Sequence, residues 1–453
     1  MQGRSWFWIL GLLLCSACGR TMNGSAVSGS SCVPGQQIAC SCFDGTQGAQ
    51  VCSANGESYQ ACECGASTTG STTTTVNGTT TSGGGGSPGT GTGPLLGSGG
   101  GSSGSGNTSS GGGADQVATG DCSASALSFD IVDAEYSPAL EAIVAISSSP
   151  PALHVLDPST LKDEAVTLPA LPVAVSVSPD GKQAAVAYNA FVSLIDLTVP
   201  SVLKTVATTC DAFDVVLGGN DFAYVFPNTD QWVDIHSVDF TAGTDYGQSN
   251  SDSIYEKTHA KLHPNGKFMY GSTGELDPSD LQEFDISQGV ATTKVGVGEG
   301  PDFGEHEACG EVWMSLDGER VFSACGNVFN ASLNAAQDLT YAGQIVSSTA
   351  ASSYAASLLS VVHSKNGKVY TIEGATQSSF DEPTTTNDGL LNVFDYQYLS
   401  FQTTLPVPCI ETSTGKYVPH ARWVFASSDG SKLWVLLNVG AGTTWGVAGI
   451  DVQ

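Results

Sequence analysis

Ser178-Pro179-Asp180-Gly181-Lys182 lies between two short apolar runs. Upstream, Val173, Val175 and Val177 alternate with Ala174 and Ser176, the period-two pattern of a pleated strand, and residues 184–188 downstream are again apolar and strand-like. Asp-Gly between two such runs marks a tight hairpin, because glycine accepts a positive φ without steric cost. The stretch recurs, with changes, as His263-Pro264-Asn265-Gly266-Lys267, Ser315-Leu316-Asp317-Gly318-Glu319, Ser364-Lys365-Asn366-Gly367-Lys368 and Ser427-Ser428-Asp429-Gly430-Ser431. Weaker copies at Ser137-Pro138 and Gly218-Gly219-Asn220 bring the turns to seven.

A second signal follows each turn, an aliphatic or aromatic residue and then Asp: Leu156-Asp157, Ile195-Asp196, Val238-Asp239, Phe284-Asp285, Phe394-Asp395 and Ile450-Asp451, with only the fifth copy lacking it. An Asp that closes a strand accepts hydrogen bonds from the next turn's backbone, so its recurrence reads as a structural cap. Each copy thus holds two strands around the turn, a third ending at the Asp and a fourth, within roughly 40 to 60 residues. Sheet repeats of that period without helices give an all-β fold, a seven-bladed β-propeller over residues 122–453. The last copy supplies three strands, so residues 123–128 are expected to provide its fourth and close the ring.

Composition agrees: 55 of 453 residues are Gly and 13% are charged, which favours strands and loops. With 15 basic against 44 acidic residues the net charge is −29, a balance that repels phosphate backbones. No nucleic-acid partner is expected.

Residues 1–17 carry Arg4 and then an apolar run, 6–14, too short to span a bilayer, which reads as an export signal. The run ends Leu14-Cys15-Ser16-Ala17-Cys18, which resembles the lipobox of bacterial lipoproteins, although Cys15 stands where that family usually has an aliphatic residue. The resemblance implies that Cys18 is lipidated, that residues 18–31 form a lipidated N-terminal segment, and that the membrane is a partner through that lipid. Gly19 after the Cys implies the outer membrane, facing periplasm or cell surface. Residues 32–64 hold Cys32, Cys40, Cys42, Cys52, Cys62 and Cys64. So short a segment cannot bury a useful core, and in an exported chain three disulfides would staple it, with the connectivity open. Two Cys-x-Cys pairs leave zinc as the other reading. The arrangement looks like a small Cys-rich module found beside the lipobox in other secreted bacterial proteins. Residues 65–121 are rich in Gly, Ser and Thr, as expected of a disordered tether with a reach on the order of 40 Å.

The blade Val175-Ser176-Val177-Ser178-Pro179-Asp180-Gly181-Lys182, followed by Val186-Ala187-Tyr188-Asn189 and Leu194-Ile195-Asp196, resembles those of the YVTN-type, or lactonase-like, seven-bladed propellers. The last blade, with Leu433-Trp434-Val435-Leu436-Leu437-Asn438, is similar, and no copy has the literal Tyr-Val-Thr-Asn. The resemblance implies a propeller of exported or surface proteins and carries no catalytic residues across.

In a four-stranded meander the Gly turns fall on one side of the disc, and the second-to-third loops and blade links on the other. Long insertions are expected on the second side at 271–280, 296–307, 326–340, 374–389 and 406–420, where function concentrates. They carry Glu275, Asp277, Asp280, Glu299, Asp302, Glu305, Asp381, Glu382 and Asp388, with His306 and His420 beside them. Glu299, Asp302, Glu305, His306 and His420 are the candidate ligands of a divalent cation such as calcium, against the plain reading of solvated acids on an acidic protein. His259 and His263 have a metal-pair spacing that serves a helix, not the strand and turn they occupy. There is no nucleophile elbow and no phosphate-cradling loop. The reading is a binding or scaffold domain for a protein, glycan or small molecule, with a lactonase-like or other metal-assisted hydrolase as the alternative. Cys122, Cys210, Cys309, Cys325 and Cys409 are odd in number, and Cys309 and Cys325 straddle a hairpin turn so as to face one another, which suggests an intra-blade disulfide.

Lipidation has a direct check: mass spectrometry of membrane-extracted protein is expected to show a diacylglyceryl group on Cys18 at the mature N-terminus.

Overall fold

The structure is a computed structural model, and it describes residues 37–41, 47–51, 122–247, 253–273, 279–296, 298–345, 358–374, 390–439 and 444–452. The N-terminal unit and the unit containing the propeller are separate bodies. In the first, Gln37–Ser41 pairs antiparallel with Gln47–Val51, placing Cys40 opposite Gly48. Cys18, Cys32, Cys42, Cys52, Cys62 and Cys64 lie outside the described residues, as do all of the expected signal, residues 1–17, and all of the tether, residues 65–121.

The second unit is a seven-bladed β-propeller of four-stranded antiparallel sheets. The innermost strands of blades one to seven are Asp133–Ser137, Ala174–Val177, Ala212–Leu217, Thr258–Leu262, Val312–Met314, Leu358–Ser364 and His420–Ala426. Every regular element among the described residues is a strand. The ring closes as expected: Ser125–Ala126 forms the outer strand of blade seven, with Ser125 opposite Val447 and Ala126 opposite Gly446. A disulfide from Cys122 to Cys409, with Cα atoms 4.7 Å apart, and a bridge between Ala124 and Ile410 tie this strand to the link between blades six and seven.

Seven apolar clusters lie one at each blade–blade interface, and a small eighth, of Cys309, Ala324 and Cys325, lies in blade five. The strand Gln183–Tyr188 shows why: Ala184, Val186 and Tyr188 pack toward blade one, while Ala185 and Ala187 pack toward blade three. Both faces are buried, so small and β-branched residues suit both.

The Gly turns are tight, with Gly181, Gly266, Gly318, Gly367 and Gly430 all at φ between 69° and 76°. In the two weaker copies Glu141 and Asp221 take the left-handed φ instead. Gly181 carries a second constraint, since a Cβ there would meet the Ala139 Cβ at 2.8 Å. The turns also join blades: Ser137 donates to the Gly181 carbonyl, His263 Nε2 lies 2.9 Å from the Gly318 carbonyl oxygen, and Asn366 donates to the Gly430 carbonyl. The strand-closing Asp residues behave as caps: Asp157, Asp196, Asp239, Asp285 and Asp395 each accept backbone N–H groups of the next turn. In blade five Asn330 holds that register position opposite Arg320.

One expected insertion is placed differently. Residues 326–340 are not a second-to-third loop: Asn327–Asn330 is the third strand of blade five, and residues 331–340 connect it to Tyr341–Gln344, on the Gly-turn side. The sequence hid this strand because its Asp signal is replaced by Asn. Cys309 and Cys325 form a disulfide within blade five, Cα atoms 5.6 Å apart.

The latch at Cys122 closes a chain separation of 287 residues. Cys122→Ser is expected to lower the unfolding free energy by about 2 to 5 kcal/mol, read as a shift of the urea midpoint.

Candidate functional site in the central channel

The seven innermost strands surround a cavity of about 610 Å³. Alternation along each strand sends every second side chain into it, so Asp133 and Glu135 enter together from blade one, and His259 and Lys261 from blade four. Asp214 from blade three and Glu311, just before the inner strand of blade five, complete a charged wall. The opposite wall is mainly apolar and aromatic, with Trp313, Leu359, Trp423 and Phe425, and it also carries His363 and Arg422.

The same side chains stitch neighbouring blades together. Asp133 accepts the Val175 N–H at 2.9 Å and Glu135 the Val177 N–H at 2.7 Å, from blade one to blade two. Ser176 accepts from Leu217 N–H, Asp214 from Ala260 N–H, and Ser360 from Val424 N–H, joining blades two to three, three to four and six to seven. These acceptors sit four residues before the turn (Asp133, Asp214, Ser360) or two before it (Glu135, Ser176). Between blades four and five an ion pair takes this role, His259 Nδ1 lying 3.2 Å from Glu311 Oε2.

Four carboxylates share the wall with one lysine and one histidine. Lys261 Nζ lies 3.2 Å from Glu135 Oε1 and 3.6 Å from Glu311 Oε1. The second distance is an ion pair and not a hydrogen bond, which leaves Glu311 Oε1 without a hydrogen-bond partner. Burial disfavours the charged lysine, but the surrounding carboxylates outweigh it and hold Lys261 well above its ordinary range. Burial pushes Asp133 and Glu135 up despite the Lys261 charge. Burial likewise lifts Asp214 to about 6, with Lys261 opposing it and Glu311 adding to it. For Glu311, Lys261 and His259 overcome burial and keep the carboxyl below the usual range. Asp214, His259 and Glu311 offer three ligand atoms, all within 4.8 Å of one another, and form the only such trio among the described residues.

The five loop candidates do not form such a trio. Glu299 accepts the N–H of Gly296, Asp302 accepts the N–H of Tyr341, and His306 stacks on Tyr341 with ring centroids 3.6 Å apart. Glu305 follows in the same turn, its N–H donating to the Asp302 carbonyl, and His420 opens the inner strand of blade seven opposite Asn438. Asp280 is buried, capping Leu281 and Gly298. Glu275, Asp277, Asp381, Glu382 and Asp388 lie outside the described residues. Of the channel residues the sequence reading singled out only His259 and His263, and set them aside as a metal pair; His259 instead joins Asp214 and Glu311 from other blades. A signal for the rest existed: charged residues at a fixed offset before the turns.

No family model matches the chain, and no curated protein matches it. Among solved structures, the chain is similar to the β-propeller domain of Cps50 (Swd1) from Myceliophteria thermophila, with a TM-score of 0.52 and 13% identity over 72% of this chain and 99% of that one. A hydrazine synthase of Kuenenia stuttgartiensis aligns at a TM-score of 0.46 and 14% identity, over 72% and 97% of the two chains. The first likeness supports the propeller fold and says nothing of activity.

The Asp214 shift fixes the sign of a pH dependence. A carboxyl whose folded pKa is raised favours the fold below its unfolded pKa and loses that contribution as pH rises through the folded value, here between about 4 and 6. With a chelator present, Asp214→Asn is expected to gain on the parent by roughly 1 to 3 kcal/mol between about pH 4 and 7, measured by urea unfolding at each pH.

Proposed function

We propose that the chain is a lipid-anchored, exported binding protein whose propeller takes a cationic ligand in its central channel. The observation that carries this is the charge of one wall: four carboxylates against Lys261 and His259, in a cavity of about 610 Å³ whose other lining cation is Arg422, with His263 and His363 also on the lining. Uncompensated buried charge is costly, and a bound cation relieves it. The apolar wall opposite would receive the remainder of a small-molecule, glycan or peptide ligand that bears the positive charge. The anchoring half of the reading rests on the likeness of Leu14-Cys15-Ser16-Ala17-Cys18 to a lipobox, and the outer membrane on Gly19. The likeness of the repeats to YVTN-type propellers fits an exported domain.

The simplest such ligand is a divalent ion on Asp214, His259 and Glu311. One imidazole and two carboxylates suit zinc or manganese better than calcium, which prefers an all-oxygen set. The three ligand atoms lie within 4.8 Å of one another, near enough to close on an ion with a small side-chain movement, and Lys261 beside Glu311 is its competitor. A second reading, a metal-assisted hydrolase of lactone-type substrates, is favoured by one feature: three ligands drawn from three blades open onto a cavity that would admit a small substrate.

Melting of the full chain in Zn²⁺, Mn²⁺ or Ca²⁺ against a chelator tests the proposal. Zn²⁺ or Mn²⁺ is expected to raise Tm by several degrees beyond the effect of salt. Glu311→Ala should abolish the rise and Glu305→Ala should leave it intact. A rise that survives Glu311→Ala, or no rise with any of the three ions, would exclude a metal in the channel.

A further inference from the structure

The Gly turn of blade five, Ser315-Leu316-Asp317-Gly318-Glu319, is gripped by a histidine from each neighbouring blade. His263 reaches it from the turn of blade four, and His363 from the end of the inner strand of blade six, Leu358–Ser364. His263 Nε2 lies 2.9 Å from the Gly318 carbonyl oxygen, while its Nδ1 accepts the Asn265 N–H at 3.0 Å. The contact is close-packed, since a Cβ on Gly318 would meet His263 Cε1 at 2.8 Å. His363 Nδ1 accepts the Leu316 N–H at 3.2 Å, and its ring stacks on Tyr396 with centroids 3.6 Å apart. Tyr396 in turn donates its hydroxyl to Asp317 at 2.7 Å.

These bonds fix the protonation of both rings. A ring nitrogen that accepts an N–H carries no hydrogen, so each imidazole is neutral with its proton on Nε2. In His263 that proton is donated to Gly318. A second proton would enter at Nδ1, where it would meet the Asn265 or Leu316 N–H and turn an attraction into a repulsion. Other blades make the same joint with groups that do not titrate near neutral pH: Ser137 on Gly181 and Asn366 on Gly430. Both histidines, with Pro264 and Leu316, also line the cavity, so the blade five turn borders the channel on its Gly-turn side.

We propose that His263 and His363 form an acid-released clasp, which holds the blade five turn against blades four and six while both rings are neutral. Proton uptake breaks the two Nδ1 bonds and loosens residues 315–319 at the channel. Burial disfavours the charged ring and holds both histidines below their ordinary range. For His263 the Gly318 carbonyl, the Asn265 side chain and Asp338 favour the proton without reversing this, and for His363 Asp317 favours it while Arg320 opposes it. The other charged or titratable groups on the elements meeting there are Lys261, Lys267, Tyr270, Glu319, Lys365 and Tyr396, with Arg422 also on the cavity lining. Asp317 is no source of the response, because hydrogen bonds from Ser315, Tyr396 and the Glu319 N–H overcome its burial and keep its carboxyl below the usual range. A histidine whose folded pKa is lowered gives its full stability above the unfolded value, about 6.5, and loses it as pH falls below that. The clasp is therefore closed at neutral pH and loosens on acidification, whether or not a cation occupies the channel.

Hydrogen exchange of the full-length protein tests this, read by mass spectrometry at about pH 7 and about pH 5 and corrected for the intrinsic rate. Protection of residues 315–320 is expected to fall by about tenfold or more on acidification, with a limit of roughly thirtyfold for each histidine. The sister turn, residues 178–183, has no histidine in its hydrogen bonds and should change by less than about twofold. In the double variant His263→Asn, His363→Asn the side-chain oxygen keeps an acceptor that does not titrate, and the fall should shrink to that of the sister turn. Nitrogen NMR of the native histidines gives a second reading that needs no variant: both rings should carry their proton on Nε2 at neutral pH and titrate below about 6.5. A fall no larger than that of the sister turn, a fall that survives the double substitution, or a ring of the pair that titrates at or above about 6.5 would overturn the clasp.

Discussion

The propeller depends on hydrogen bonds between neighbouring inner strands. An inner strand pairs on one edge with its own blade and leaves the other edge, facing the channel, without a ladder. Its N–H groups there must find acceptors, since an unpaired buried donor costs about 1 to 3 kcal/mol. The acceptors come from side chains of the preceding blade: Asp133 and Glu135 for Val175 and Val177, Ser176 for Leu217, Asp214 for Ala260, Ser360 for Val424. A carboxylate does this better than a hydroxyl because hydrogen bonds to a charged acceptor are stronger.

That solution has an electrostatic consequence. Carboxylates recruited to hold blades one to four together converge on the same channel, where burial raises Asp133, Glu135 and Asp214. Lys261 and His259 offset part of the charge. Blades six and seven use Ser360 in the equivalent place and line their side with Leu359, Trp423 and Phe425. The channel is therefore two-sided, and its capacity to hold a cation grows out of how the ring is held together.

A propeller spreads its core thinly, with one apolar cluster per interface. Opening the ring at any interface exposes two of its sheets, so closure must be secured locally. Here it falls to Ser125–Ala126, whose sequence has poor strand character, and the short strand is held by Cys122–Cys409. Propensity is overridden because the edge of Thr444–Asp451 offers a ready template and the disulfide keeps the segment in reach.

The repeat of Gly turns and strand-closing Asp residues determined the seven blades, their order and the side on which each turn lies, because φ at Gly181 or Gly318 and the capping by Asp157 or Asp196 are local requirements that each stretch of chain satisfies alone. The blade five strand Asn327–Asn330 shows the limit of that legibility, since one Asn in place of Asp displaced an expected loop to the opposite face. The candidate site lay beyond it. Asp133, Asp214, His259 and Glu311 are spread over four blades and roughly 180 residues of chain, and their shared offset before the turns is a local mark that does not by itself tell a channel charge from a solvated one. Only closure of the ring brings the inner strands round one axis, and only there does each of these side chains lose water, gain a backbone donor or an ion-pair partner, and meet the others.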